Sequence, residues 1–358
     1  MSYFTVKLKD LSLIKTGKLD SNEAVSGGTY PFFTCDPNTL RINNWAYDTE
    51  AVLLAGNNAS GNYTAKYYNG KFNAYQRVYI IETADRSRLN TRYLCYAMNQ
   101  QLQLLKTMSS GSTTKFLTLG MLHGLDIPLP AIADQDKIVS VLSVYDDLIE
   151  NNQKHIKLLE EAAQRLYKEW FIDLRFPGHE TTPIVDGIPQ GWENASVTDL
   201  LEIRYGKDHK GLADGCIPVY GSGGIMRKVD KILYSGESVL IPRKGSLNNI
   251  LLVSGDFWTI DTMFYSVPKR PNVAKYVYLY LTGIDMYAMN IGAAVPSMTV
   301  KILDGMRLLC PSDSILELFE TTAKPYYEMI ELLKKKQSML GETRDRLLPK
   351  LMSGEIEV

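Results

Sequence analysis

The chain repeats itself, and this constrains its fold more than any other feature of the sequence. The segment MSSGSTTKFLTLGMLHGLDIPLP (108–130) aligns with MNIGAAVPSMTVKILDGMRLLCP (289–311) at an offset of 181 residues. Gly111 falls on Gly292, Leu119 on Val300, Leu125 on Met306 and Pro130 on Pro311. The same offset persists downstream, with Tyr145 on Tyr326, Ile149 on Ile330, Leu159 on Leu340 and Leu166 on Leu347. Upstream it drifts. AVLLAGNNAS (51–60) matches SVLIPRKGSL (238–247) at 187, FNAYQRVY (72–79) matches FWTIDTMF (257–264) at 185, and KTGK (15–18) matches RYGK (204–207) at 189. Small loop deletions between two copies leave such a drift, and the collinear order outweighs the weakness of each match. The chain reads as a globular block, a helix, a second block and a second helix.

Spacing supports both helices. Leu142, Ile149, Ile156, Ala163 and Trp170 stand seven residues apart, and Ile138, Tyr145, Asn152, Leu159 and Leu166 form a second row. Two such rows are the apolar seam of a coiled coil, and Arg175-Phe176-Pro177-Gly178 stops it. Roughly 38 residues of helix make a rod of about 57 Å. In the second copy Phe319, Tyr326, Leu333, Leu340 and Leu347 hold one row, and Ala323, Ile330, Gln337, Arg344 and Leu351 the other. Pro325 is expected to start or kink that helix. Each seam needs a partner, and antiparallel pairing of the two helices would bury both and relate the blocks by an approximate two-fold. The competing arrangement packs each helix on its own block.

Within the blocks, AVLLAG (51–56), VYII (78–81), SVLIP (238–242), ILLVSG (250–255) and MFYSV (263–267) are β-rich runs between turn-forming clusters. Short helices are expected at 89–105 and 272–289. The expected class is therefore α+β: two similar mixed α/β domains separated by two long antiparallel coiled-coil helices, a pseudo-two-fold internal repeat. The expected boundaries are 1–130, 131–178, 179–311 and 312–358.

Net charge is −1, which alone argues against a nucleic-acid partner. Taken by segment it is +4 for 1–130, −4 for 131–185, +1 for 186–311 and −2 for 312–358. Phosphate contacts would need local basic surface on the first and third of these. No run approaches the roughly 18 apolar residues of a membrane span, and Met1 to Asp10 has no signal-peptide core, so a cytoplasmic location is expected. Cys35, Cys95, Cys216 and Cys310 lie far apart and read as free thiols.

Motifs for catalysis are not found. Gly221-Ser222-Gly223-Gly224 has neither the spacing nor the context of a dinucleotide loop, and Gly111 to Lys115 fails the phosphate-loop spacing. Ser112 and Lys115 form a Ser-x-x-Lys pair without its partner motifs. His123, His155, His179 and His209 lie in unrelated contexts, so no triad and no metal set assembles.

The duplicated order, PQGWE (189–193) opening the second copy, and the phrases NNASGN (57–62), KFNAYQRVYI (71–80), YGSGGI (220–225), IPRKGSLNN (241–249), GAAVPSMT (292–299) and LLPKLMSGEIEV (347–358) together resemble the specificity subunit of type I restriction-modification systems. Two departures are the missing GWE opening in the first copy and Pro242, where the family more often has Gly. The resemblance implies a non-catalytic recognition subunit with two target recognition domains, each reading half of a bipartite site in double-stranded DNA. It implies that the helices set the gap and dock two adenine methyltransferase subunits, and that restriction (motor-nuclease) subunits can join. No cofactor is expected in this chain, because S-adenosylmethionine belongs to the partner methyltransferase.

Candidate DNA-contacting residues are Asn57, Asn58 and Ser60, then Thr113, Thr114 and Lys115, in the first copy. In the second they are Lys207, His209, Lys210, Tyr220, Ser222, Arg243, Lys244 and Ser246. Asn pairs bidentately with adenine, and Arg243 could fork onto a guanine edge or hold a phosphate. The structural alternatives are ordinary turns and a solvated loop. Tyr67, Tyr75, Trp258 and Tyr265 read as core. Leu148, Phe171 and Met329 are candidate outward contacts for the methyltransferase. The loops differ between copies (NNAS against RKGS), which predicts an asymmetric target. The rival readings are a helical adaptor without sequence-dependent DNA binding and a free-standing DNA-binding regulator.

Overall fold

Ala51 to Ala55 is apolar at every position, which suits a strand covered on both faces. In the computed structural model, which describes residues 3–58, 62–109, 115–290 and 296–357, Tyr47–Ala55 is that strand. Val52 and Leu54 face one cluster with Leu94 and Leu142, while Ala51 and Leu53 face another with Phe72 and Ile80. This is the two-residue period of a pleated strand. It lies inside a six-stranded sheet, in the order Ser12–Thr16, Val78–Thr83, Tyr47–Ala55, Ala65–Ala74, Tyr30–Phe33, Leu40–Ile42. Thr91–Gln100 is helical, with the Asn90 side chain accepting from the Arg92 and Tyr93 N–H groups.

The second block puts most of its strands into two four-stranded sheets. One runs Leu201–Tyr205, Met263–Pro268, Ser238–Pro242, Leu251–Val253; the other Gly224–Val229, Asp214–Gly221, Asp256–Thr259, Tyr234–Ser235. The helix Ala274–Thr282 packs on the first of these, with Tyr276 and Val277 fully buried.

Both long helices are present, as Ile132–Tyr167 and Asp313–Ser353. The chain forms two compact units that share them: 1–152 with 335–358, and 153–334. In the first unit Ile138 and Leu142 pack with Leu348, Leu351 and Met352. The Ile149 carbonyl accepts from Gln337 Nε2 at 3.1 Å, so the helix segments run antiparallel. The start of the first long helix is tied to the block by Gln135, which is fully buried. Its amide donates to the Arg88 and Pro130 carbonyls and accepts from the Asn90 N–H. In the second unit Ile156 packs with Ile330 and Leu333, and Trp170 and Phe171 pack on Phe319, again antiparallel.

Pro325 does not start the second helix, which begins twelve residues earlier at Asp313. The proline forfeits one backbone hydrogen bond, but Phe319, Ala323 and Ile330 on either side are buried, and that packing carries the helix through. Phe171 does not face outward. It is 5% exposed, with ring centroids of Tyr276 and Phe319 at 4.7 and 4.8 Å. The cause is a π-turn over Lys168–Ile172, closed by Asp173 N–H on the Lys168 carbonyl at 2.8 Å. Its wider winding puts adjacent Trp170 and Phe171 on one face.

Candidate nucleic-acid interface

Each block closes its strand ends with the same hydrogen bonds. In the first, the Gly56 N–H donates to the Arg77 carbonyl at 2.7 Å and the Gly56 carbonyl accepts from Leu117 at 2.8 Å. In the second, the Arg243 N–H donates to the Thr262 carbonyl at 2.8 Å and its carbonyl accepts from Met298 at 2.9 Å. Gly17 and Gly206 likewise donate to the Val78 and Met263 carbonyls, at 3.1 and 3.0 Å. Both glycines are required by close approach. A Cβ would stand 2.2 Å from the Ala74 oxygen at Gly17 and 2.0 Å from the Ile260 oxygen at Gly206. These pairs set the register of the repeat: Gly56 stands where Arg243 stands, and Asn57 where Lys244 does.

The second block brings Ser222, Arg243, Lys244 and Ser246 into one loop cluster. Lys244 and Ser246 are exposed at the turn, and Gly245 takes φ +82° against Ser222. Tyr287 Oη donates to the Gly245 carbonyl at 2.8 Å and accepts from the Leu247 N–H at 3.2 Å. Asn249 Nδ2 donates to the Ser222 carbonyl at 2.8 Å, and Asn248 Nδ2 to Asp285 at 3.0 Å. That bond helps to hold the Asp285 carboxyl below the usual carboxylate range. A loop so tied is preorganised.

Arg243 is part of that scaffold. Its guanidinium carbon lies 4.7 Å from the Tyr205 ring centre and 5.2 Å from that of Phe264, and Nη1 donates to the Asp261 carbonyl at 2.6 Å. Lys207 follows Gly206. Its N–H donates to the Thr259 carbonyl at 2.8 Å and its carbonyl accepts from Trp258 Nε1 at 2.9 Å, leaving the ammonium exposed. Lys210 is exposed beside half-buried His209, whose Nδ1 is buried without a partner among the described residues. The Lys210 N–H donates to Asp208 at 3.1 Å and holds that carboxyl low. Tyr220 packs edge-on to Phe257 at 6.2 Å, and burial raises its hydroxyl pKa.

In the first block Asn57 and Asn58 lie opposite Phe116 and Lys115 in a two-stranded ladder. Asn57 Oδ1 accepts from Cys35 Sγ at 3.2 Å, and burial pushes that thiol's pKa up. Ser60, Thr113 and Thr114 lie outside the described residues. The sequence reading missed Arg77, Gln76, Tyr79 and Phe116, which with Asn57 and Gly56 border a cleft of about 530 Å³. The 185-residue offset had already aligned Arg77 with Thr262 at the matching strand end, so the signal was there. Among the described residues, no three His, Cys, Asp or Glu gather as a metal site, and no helix is long and apolar enough to cross a membrane.

The chain is similar to known proteins in sequence and in fold. Residues 2–161 match the family described as "Type I restriction modification DNA specificity domain". The type I restriction enzyme EcoDI specificity subunit of Escherichia coli is 36% identical over 161 residues, 45% of this chain and 35% of that protein's length. The MjaIX specificity subunit of Methanocaldococcus jannaschii is 28% identical over 298 residues, 74% of this chain and 68% of that protein. A crystal structure of a type I restriction-modification system S subunit from M. genitalium shares the fold, with TM-score 0.59 at 18% identity over 98% of this chain and 96% of that one.

Proposed function

We propose, from the premise that this chain belongs to the specificity subunits of type I restriction-modification systems, that it reads a bipartite, asymmetric DNA sequence for a methyltransferase. The observation that carries this is the pair of equivalent strand-end loop clusters that differ in their side chains. The second presents Lys207, Lys210, Lys244 and Ser246 on its loops; the first presents Asn57 and Arg77 around a cleft, with Asn58 and Lys115 paired beside it. Matching strand-end hydrogen bonds with unequal side chains suit two different half-sequences, whereas a symmetric reader of a palindrome would repeat its contacts.

The lysine ammonium groups would hold phosphates, and the amide and guanidinium groups would read base edges. The two long helices would fix the unread gap. Their exposed apolar residues, Leu148 and Met329, at 43% and 45% exposure, would dock the two methyltransferase subunits, to which restriction subunits can add. The chain itself would be non-catalytic, with S-adenosylmethionine bound by its partner.

The test is to co-express the chain with its methyltransferase and map N6-methyladenine across the host genome. The expected result is a two-part motif with a fixed gap. One half should be lost when either block is disabled, and the gap should move when a helix is lengthened by a heptad. Methylation that ignores this chain, or a stable complex with no motif, would favour the adaptor reading.

A further inference from the structure

Position 56 in the first block and position 243 in the second share their backbone hydrogen bonds but not their side chain. In the second block the Arg243 side chain fills the space beside its own loop. Its guanidinium lies over the Phe264 ring and donates to the Asp261 carbonyl at 2.6 Å. In the first block the residue is Gly56. Tyr79 stands where Phe264 does and Gln76 where Asp261 does; a Cβ at Gly56 would stand 2.5 Å from the Arg77 carbonyl oxygen and 3.0 Å from the Tyr79 ring, and these residues line an open cleft of about 530 Å³. That volume is within the roughly 300–1,000 Å³ of ligand pockets.

We propose that this cleft is a base-edge subsite of the first block, and that the second block has the same subsite sealed by Arg243. The inference rests on the reading that the blocks bind DNA, and it names what the first block admits: a base edge carrying an exocyclic amine beside an acceptor. The Gln76 carbonyl, to which nothing donates among the described residues, receives the amine as the Asp261 carbonyl receives Arg243. Asn57 Oδ1 is engaged by Cys35, so Nδ2 is the end of that amide left to donate to the acceptor. The guanidinium of Arg77 is exposed and makes no hydrogen bond or ion pair among the described residues. It supplies a second donor at the mouth and repels a cationic occupant such as an arginine from a partner protein. A major-groove edge of adenine offers this amine-plus-acceptor pair. Arg243 is accordingly a positioning residue, whose guanidinium ties the 243–249 loop to Tyr205, Phe264 and Asp261.

The experiment uses the full chain in complex with its methyltransferase. It measures competition binding against duplexes in which each base pair of both half-sites is replaced in turn. Asn57→Ala and Arg77→Ala are expected to lose discrimination at one or two base pairs of the first half-site, by at least about five-fold, and to leave the second half-site unchanged. Arg77→Lys keeps the charge but not the fork, so it should retain overall affinity and still lose that discrimination. Arg243→Lys and Arg243→Ala should change no base preference in the second half-site. The inference is overturned if Arg77→Ala weakens all duplexes equally, if the first-block variants leave discrimination intact, or if Arg243→Lys relaxes a base pair. Thermal unfolding of each variant separates misfolding from lost contacts. A wild-type complex that shows no motif at all overturns the underlying reading as well, which is a distinct result.

Discussion

Asp146 on the first long helix accepts from Arg344 on the second at 2.8 Å, while its other oxygen takes the Tyr96 hydroxyl. The mixed seam of the second helix is thus matched: a charge on one helix sits where the other offers a carboxylate. The side chains are 27% and 31% exposed, so the pair is neither freely solvated nor dry. Asp146 also lies 3.8 Å from Arg92, whereas Arg344 keeps a second carboxylate, Asp345, at 2.8 Å. Asp146→Ala should therefore cost more stability than Arg344→Ala, about 2 against about 1 kcal/mol, with a coupling near 1 kcal/mol in the double-mutant cycle. Urea denaturation of the four proteins measures it. Additive single losses would show that the pair contributes nothing across the seam.

Pro325 lies exposed inside an unbroken helix, and the Thr321 carbonyl one turn earlier lacks its N–H partner. Replacing it restores that bond without touching the buried Phe319 and Ala323. Pro325→Ala is expected to raise the unfolding temperature, with a gain of at least about 1 kcal/mol and at most the roughly 3 kcal/mol proline penalty. An unchanged or lower midpoint would mean that the helix has adapted around the ring.

Thiol chemistry provides a check on burial. Cys216 is exposed, Cys35 half-buried, and Cys95 and Cys310 buried. Desolvation pushes the Cys95 thiol up to about 12 and raises Cys35 and Cys310. All three stay protonated in the folded protein near pH 8, and a thiol reacts as its thiolate. A disulfide reagent at that pH should label Cys216 first, with the other three following on unfolding. Raising the pH by one unit should not bring Cys95 into reaction. Fast labelling of Cys95 would contradict its packing against the Ala65 strand.

The long helices were legible because a seven-residue period sustained over several heptads has few other meanings. The buried positions Leu142, Ile156, Ala163 and Trp170 are those the spacing named. The strands were legible from continuous β-rich runs. Phe171 was misplaced because a π-turn changes the period that the reading assumed constant, and no propensity marks it. Pro325 does not open its helix because the packing of Phe319, Ala323 and Ile330 outweighs its local chemistry. Of the candidate interface, the sequence shows the position of the loops. Repeat offsets located the loops, but the comparison of NNAS with RKGS slipped by one residue. The hydrogen bonds of Gly56 and Arg243 agree with the 187-residue offset, which pairs Gly56 with Arg243 and Asn57 with Lys244.

Leu142 and Leu148 lie six residues apart on one helix and separate two roles. Leu142 is fully buried against the second helix and its own block; Leu148 is 43% exposed. Leu142→Ala leaves a cavity and should cost about 2–5 kcal/mol, read as a lower denaturation midpoint. Leu148→Ala removes little buried surface and should stay within about 0.5 kcal/mol of the parent. If the exposed apolar residues dock methyltransferase subunits, Leu148→Ala and Met329→Ala should instead lower the fraction of methyltransferase that co-elutes with the chain in gel filtration. The double variant should lower it further. Full co-elution by a stable Leu148→Ala, Met329→Ala protein would move the docking surface off these positions. Folding would still rest on the seam and recognition on the loop clusters, because neither depends on that outward face.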